Sequence, residues 1–441
     1  MKSSTTLDYS GLIAKVSRRL KWVLLTVMFI GFMDRQNLGF VAPYMKSDLN
    51  ITATQIGIGA SLFFVGYLLF EVPSNLLMAR FGPRIWLARI MITWGLVSCL
   101  GAFVSGTQSF YAFRLFLGIA EAGLIPGVML YLSFWIPRTD IGKFSAWALF
   151  IGPLSGSITA VVTAALLSMN GIMNLAGWQW AFLVEGVPAV IFGVLLFRIL
   201  TDYPEKATWL APDERQQLTT LCTPEQADRH TSQKLSSVAV ALRNPAVYLL
   251  GGLYFLLNVP LASTTWIPLS LHASGQSGMT EGLLAAVPSA AASLVIIPWA
   301  SRSDRRAERY WHLLLPTAVS AFGWGLAAIY SRDVALITIA TSIGYAGTYA
   351  ALGVFWTLPS LLVPDCTRPA SIALITAMGL PGSMLALMGG GKLLEATRSF
   401  FGCYILAAVA MALMVVLVIL GLWNRRRVQT REILSEPRSA T

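Results

Sequence analysis

The stretch "LKWVLLTVMFIGFMDRQNLGFV", residues 20–41, is apolar almost throughout, yet Asp34 and Arg35 stand side by side within it. A helix rises about 1.5 Å per residue, so about 20 residues cross a hydrocarbon core of about 30 Å. Stretches of this kind recur along the whole chain. Of its 441 residues 56% are hydrophobic and 12% charged. That charged share is about half of what soluble domains carry. In lipid every backbone N–H and C=O needs an internal partner, which leaves helices or closed barrels. The weak ten-residue alternation of a barrel is absent. The composition predicts an all-α, polytopic membrane protein.

Twelve spans are predicted, near 20–41, 55–78, 86–105, 109–132, 144–168, 178–200, 246–270, 281–300, 311–330, 334–362, 370–391 and 401–423. Pro126, Pro153, Pro188 and Pro381 fall inside spans, where neighbouring helices can re-satisfy the backbone. With the N-terminus inside, all but six of the 32 Lys and Arg residues lie in the two tails, the loops on that side or the span ends adjoining them. Lys46, Arg332, Lys392 and Arg398 are on the opposite side, and Arg35 and Arg114 are within spans. The asymmetry predicts both termini in the cytoplasm. It also explains most of the net charge of +11, which argues against nucleic-acid binding. Arg425, Arg426 and Arg427 read as an anchor after the last span, with weak affinity for anionic lipid.

The longest loop, 201–245, divides the spans six and six. The expected organisation is an N-terminal cytoplasmic tail (1–19), a six-helix bundle (20–200), a cytoplasmic linker (201–245), a second bundle (246–423) and a C-terminal tail (424–441). Such paired bundles build many secondary transporters. A weak internal echo agrees. "NLLMARFGPR" follows span two and "ASRSDRRAER" follows span eight, both basic, with Asp304-Arg305 in the second matching Ala79-Arg80 in the first. No cleavable signal peptide is evident. Cys99, Cys222, Cys366 and Cys403 show no metal spacing and read as structural. His230, His272 and His312 read as solvated loop residues, too scattered to bind a metal. Trp178 and Trp180 read as interface-belt aromatics.

Ionisable groups inside a span are costly and mark function by default. The set is Asp34, Arg35, Glu71, Arg114, Glu121 and Glu185. Counting about 1.5 Å per residue puts Asp34 and Arg35 about 20 Å from the inner end of span one. Arg114 lies about 7 Å, and Glu121 about 18 Å, from the outer end of span four. Seven residues apart, these two share a helix face, at a depth where Arg114 can meet Asp34. Tyr67 is near the midplane, and Trp356 is deep in span ten. One reading is that the charges pair only to hold helices together. The functional reading divides labour: a guanidinium grips a carboxylate with parallel hydrogen bonds, and a carboxyl group in low dielectric takes up and releases a proton. Glu71 and Glu185 read as structural anchors, and Gly118, Gly123 and Gly127 as sites of close helix packing.

The motifs "FMDRQNLGFVAPYM", "FFVGYLLFEVPSNLLMARFGPR", "ARIMITWG", "FRLFLGIAEAGLIPG", "GWQWAFLVEGVPA" and "FWTLPS" resemble those of the major facilitator superfamily, specifically its anion:cation symporter group. The resemblance covers nearly the whole chain. It implies proton-driven import of an organic acid such as a sugar acid, tartrate, phthalate or hydroxyphenylacetate. It implies that Asp34 and Glu121 are the protonatable pair, with Arg114 as the partner that regulates coupling. It further implies that Arg35 contacts the substrate anion, that Tyr67 donates a hydrogen bond in the cavity, and that Trp356 lines its C-terminal half.

The sequence also departs from the group. Sugar-acid members often carry "GNLGG" in span eleven, and here "GLPGS" puts Leu380 where the Asn would be. Span seven lacks an outer Tyr and leaves Asn258 as its one strong polar group. A site with fewer hydroxyl-matching groups suits a less hydroxylated substrate. The expectation is therefore an aromatic or weakly hydroxylated carboxylate, with aldonate, hexuronate or tartrate import, or export by the same parts, as alternatives. Ala79 replaces the usual Asp of the first-half motif. HExxH, GxSxG and His-rich metal sets are absent, so no enzyme is expected. Nor is a cofactor or metal, the proton being the coupling ion. A monomer in the inner membrane, handling a small organic anion, completes the reading.

Overall fold

A computed structural model describes residues 9–222, 238–364 and 367–435. Among these the chain is almost wholly helical. The first half holds α1 (Tyr9–Asp48), α2 (Ala53–Phe81), α3 (Pro83–Leu100), α4 (Thr107–Glu121), α5 (Leu124–Ser133), α6 (Arg138–Leu167) and α7 (Gly177–Ile199). A short helix, α8 (Pro212–Cys222), lies in the linker. The second half holds α9 (Pro245–Ser263), α10 (Trp266–Ala273), α11 (Gly278–Arg306), α12 (Tyr310–Ile329), α13 (Val334–Phe355), α14 (Leu358–Leu362), α15 (Arg368–Met384), α16 (Gly390–Thr397) and α17 (Phe401–Ser435). Eleven helical segments among the described residues are long and apolar enough to cross a membrane. The first helix, which carries the polar quartet Asp34–Asn37 mid-length, is not among them.

Local chemistry sets the boundaries. Thr52 and Gln55 form a reciprocal capping box that starts α2, Asn244 caps α9 just before Pro245, and Asp333 caps α13. Several predicted spans are interrupted. Span four breaks between α4 and α5, where Gly123 takes φ +88° and leaves Glu121 as the last residue of α4. Only glycine adopts that conformation without strain. Span seven breaks between α9 and α10, span ten between α13 and α14, and span eleven contains a π-helical turn over Leu385–Gly389.

Within the first half α3 packs on α7, α2 on α4, and α1 on α6 and α7. Within the second, α9 packs on α15, α12 on α13 and α17, and α11 on α13. The halves meet through α6 with α11, α2 with α16, and α1 with α10. Hydrogen bonds join them at the end opposite the termini: Tyr44 Oη to Glu281 Oε2 at 3.2 Å, Thr54 N to Glu395 Oε2 at 3.2 Å and Ser157 Oγ to Ala286 O at 3.3 Å. A Cβ on Gly391 would lie 2.5 Å from the Ala53 carbonyl oxygen, so this closure requires a small residue.

Several expectations change. The predicted tail 1–19 is helical from Tyr9, and α17 continues as helix through Ser435. The start of the linker is docked: Lys15 Nζ meets Glu214 at 2.7 Å, and the Arg19 guanidinium lies 4.7 Å from the Trp209 ring. His312 is not a loop residue. It is buried in α12, with Nδ1 2.6 Å from Glu308 Oε2, because the helix starts two residues earlier. His272 lies in the last turn of α10 with Nδ1 2.9 Å from Glu281 Oε2. Trp178 is not in an aromatic belt. It is buried and donates to Asp48 at 2.8 Å, tying the start of α7 to the end of α1. Cys99, Cys222 and Cys403 are free thiols, the last two buried. His230 and Cys366 lie outside the described residues.

Candidate functional site

Successive residues on a helix point about 100° apart, so four in a row face four directions. In α1 each member of Asp34-Arg35-Gln36-Asn37 meets a different neighbour. Asp34 turns to α3, accepting from Trp94 Nε1 at 2.9 Å and from Ser98 Oγ. Arg35 turns to α4, its Nε donating to Glu121 Oε1 at 2.5 Å. Gln36 turns to α6, its Nε2 donating to the Gly152 carbonyl at 3.2 Å and to Ser155 Oγ at 3.0 Å. Asn37 turns to Glu185 of α7. The quartet is a hub at the centre of the first half.

Asp34 and Glu121 are each 1% exposed, whereas the Arg35 side chain is 20% exposed. Its guanidinium sits 4.6 Å from the Tyr67 ring and 5.5 Å from Phe63. Arg35 Nη2 and Glu121 Oε2 are buried with no hydrogen-bond partner. A bidentate pair would satisfy both, so this pair is only half made.

Arg114 is buried 5.0 Å from the same Phe63 ring, within electrostatic reach of Asp34 and Glu121. The sequence places it where it can meet Asp34, but no ion pair forms. Its Nε and Nη1 have no hydrogen-bond partner, and Asp34 is held by neutral donors from α3 instead. The pairing that does form joins Arg35 to Glu121, two residues with separate expected tasks. The reason is local. Glu121 ends α4 beside the left-handed turn, level with Arg35, while Arg114 is two turns back along α4.

In the second half Asn258 is buried and used locally. Its Nδ2 donates to the Tyr254 carbonyl at 2.8 Å, and its Oδ1 accepts from Ser383 Oγ at 3.2 Å. Trp356 is partly exposed, edge-on to Tyr254 with ring centroids 5.0 Å apart, and Tyr254 stacks on Phe355 at 5.4 Å. Tyr254 lies within electrostatic reach of Arg35 and Glu71, so this aromatic wall faces Arg35 across the interface. Leu380 is buried, and Gly379 lets α15 approach Tyr254 and Asn258 closely. Glu71 is partly exposed, with Arg35 as its neighbouring charge.

The sequence reading missed three residues of this site. Trp94 and Ser98, four apart on α3, share one face, but nothing in a single sequence aims that face at Asp34. Tyr254, one turn before Asn258, supplies a hydroxyl and an aromatic face that the reading of span seven overlooked. Among the described residues no cluster of three or more His, Cys, Asp or Glu side chains can hold a metal.

Residues 24–365 match the Major Facilitator Superfamily. The chain belongs to that superfamily. It is a multi-pass membrane transporter of this type, not an enzyme. A protein of Agrobacterium vitis named "Putative tartrate transporter" is 39% identical over 95% of this chain and 93% of its own length. A Pseudomonas putida protein named "Putative metabolite transport protein NicT" is 34% identical over 90% of this chain and 93% of its own. A bacterial homologue of the human lysosomal transporter Spinster, solved inward-facing and unoccupied, superposes with a TM-score of 0.70 at 15% identity. It covers 94% of this chain and 96% of that one, a likeness of fold over most of the length.

Proposed function

We propose that this transporter imports a small organic carboxylate together with a proton, by alternating access between its two halves. The observation that carries the reading is the half-made Arg35–Glu121 pair at the cavity wall. An entering carboxylate is a better bidentate acceptor for the Arg35 fork than the singly bonded Glu121. Once displaced, Glu121 is a buried carboxylate without its counter-ion, and taking up a proton removes that penalty. Anion binding and proton binding then favour each other, which is the thermodynamic content of symport. Asp34 is the second proton carrier, and Arg114 balances charge between the two acids. Tyr67, Trp356 and Asn258 shape the rest of the site. The halves joined opposite the termini correspond to a state open to the cytoplasm, with both termini on that side, in the inner membrane.

For the substrate, the wall of Tyr254, Phe355 and Trp356 supports an aromatic or weakly hydroxylated acid. A second reading is tartrate, favoured by the name of the 39% identical relative and by the Tyr254 hydroxyl. A thermal-shift screen of the purified protein decides between them, since a bound ligand raises the melting temperature by mass action. Stabilisation by phthalate or hydroxyphenylacetate and not by L-tartrate supports the first reading, and the reverse supports the second. No response to any organic anion would overturn both.

A further inference from the structure

Glu185 of α7 is 5% exposed. Its Oε1 accepts from Thr163 Oγ1 of α6 at 2.8 Å. Its Oε2 is buried with no partner. The charged and titratable side chains around it are Asp34 of α1, a like charge, and Cys99 of α3, whose Sγ lies 3.8 Å from the Leu183 carbonyl beside it. Neither is a cation. An ionised carboxylate without a counter-charge in low dielectric costs several kcal/mol, so the neutral acid is the form this setting accommodates. Asn37 faces Glu185 and is fully buried, and apart from Glu185 neither its Oδ1 nor its Nδ2 has a hydrogen-bond partner. A proton on Glu185 would supply the donor that the Asn37 carboxamide oxygen lacks.

The three polar groups form a descending series. Trp178 bonded to Asp48 sets α1 and α7 level at the end opposite the termini. From there Glu185 is about 10 Å along α7, Asn37 about 16 Å along α1 and Asp34 about 21 Å, by helical rise. We propose that Glu185 is a third proton-binding carboxyl of this transporter. It takes a proton from the end opposite the termini and passes it to Asp34 past Asn37, inside the first half and apart from the substrate cavity. In the transfer the Glu185 O–H bond breaks, the Asp34 carboxylate gains the proton, and Glu185 is left ionised until it is reprotonated. The proposal rests on the proton-coupled reading above.

The test uses the full-length protein, with two readouts. The first is infrared difference spectroscopy of the carbonyl stretch of neutral carboxyl groups, which needs no substrate. Glu185→Gln is expected to remove one neutral-acid band, and Thr163→Val to keep that band and shift it, having lost one hydrogen bond. A spectrum unchanged by Glu185→Gln would overturn the proposal. The second is proton entry into proteoliposomes containing a pH dye, driven by whichever of phthalate, hydroxyphenylacetate and L-tartrate stabilises the protein in the thermal-shift screen. Glu185→Gln is expected to slow proton entry at least tenfold with counterflow of that acid intact, and Glu185→Asp to restore much of it. If the wild type moves protons and Glu185→Gln moves them equally fast, Glu185 is a structural anchor and the relay is wrong. If the wild type moves no protons, the coupled reading fails on its own account, and the infrared band still decides whether Glu185 holds a proton. A Glu185→Gln protein that fails to fold leaves Thr163→Val to decide: a band that does not shift overturns the assignment.

Discussion

Arg35 donates its Nε to Glu121 at 2.5 Å, while Nη2 of the same guanidinium and the second oxygen of the same carboxylate remain without partners. The pair therefore has capacity on both sides, and its rearrangement is where an anion is expected to act. Lysine keeps the charge but lacks the planar fork. Arg35→Lys is expected to weaken substrate binding by at least about tenfold, or about 1.4 kcal/mol, measured by titration with the best ligand from the thermal-shift screen. Unchanged affinity would place the anion site elsewhere.

Glu121→Gln keeps the shape of the side chain and removes its charge and its proton exchange. The variant is expected to lose concentrative uptake driven by a proton gradient while retaining substrate counterflow, which needs no net proton movement. Both are measured as radiolabelled flux in proteoliposomes. Concentrative uptake at the wild-type level would remove Glu121 from coupling.

The sequence was most legible where the bilayer dictates the answer. Length and apolar runs were enough for an all-helical, multi-pass membrane protein, and the charges at 34, 35, 114 and 121 do converge. Contacts that depend on helix rotation were not legible. Depth along an axis put Arg114 near Asp34, but depth carries no azimuth, and α4 presents Glu121 to Arg35 instead. The break at Gly123 that makes this possible read only as a packing glycine. His312 and Trp178 were misread for a related reason. General tendencies place His in loops and Trp in belts, and specific acceptors, Glu308 and Asp48, overrode them.

The joint between the halves offers a conformational test. Gly391 lies against the Ala53 carbonyl so closely that no side chain fits without moving the helices apart. Gly391→Leu is expected to destabilise the arrangement closed at this end and shift the population towards its opening, with loss of net transport. Spin-label distances between the α2 and α16 ends report the shift. A distance distribution matching the wild type would show that this contact does not govern closure.

The docked linker makes the last prediction. Hydrogen bonds from Lys15 and from the Ala211 N–H hold the Glu214 carboxyl below the usual carboxylate range. A folded-state value below the unfolded one, which is about 4.3, means the contact stabilises fully above that pH and is lost as pH falls through the depressed value. Lys15 is 43% exposed, so solvent screening limits the contribution to about 1 kcal/mol or less. Lys15→Ala is therefore expected to speed amide exchange in α8 up to about fivefold at pH 7. At a pH low enough to protonate Glu214 in both proteins, the difference should vanish. Equal exchange at pH 7 would show that the linker is held by Arg19 on Trp209 and by its buried apolar side chains alone.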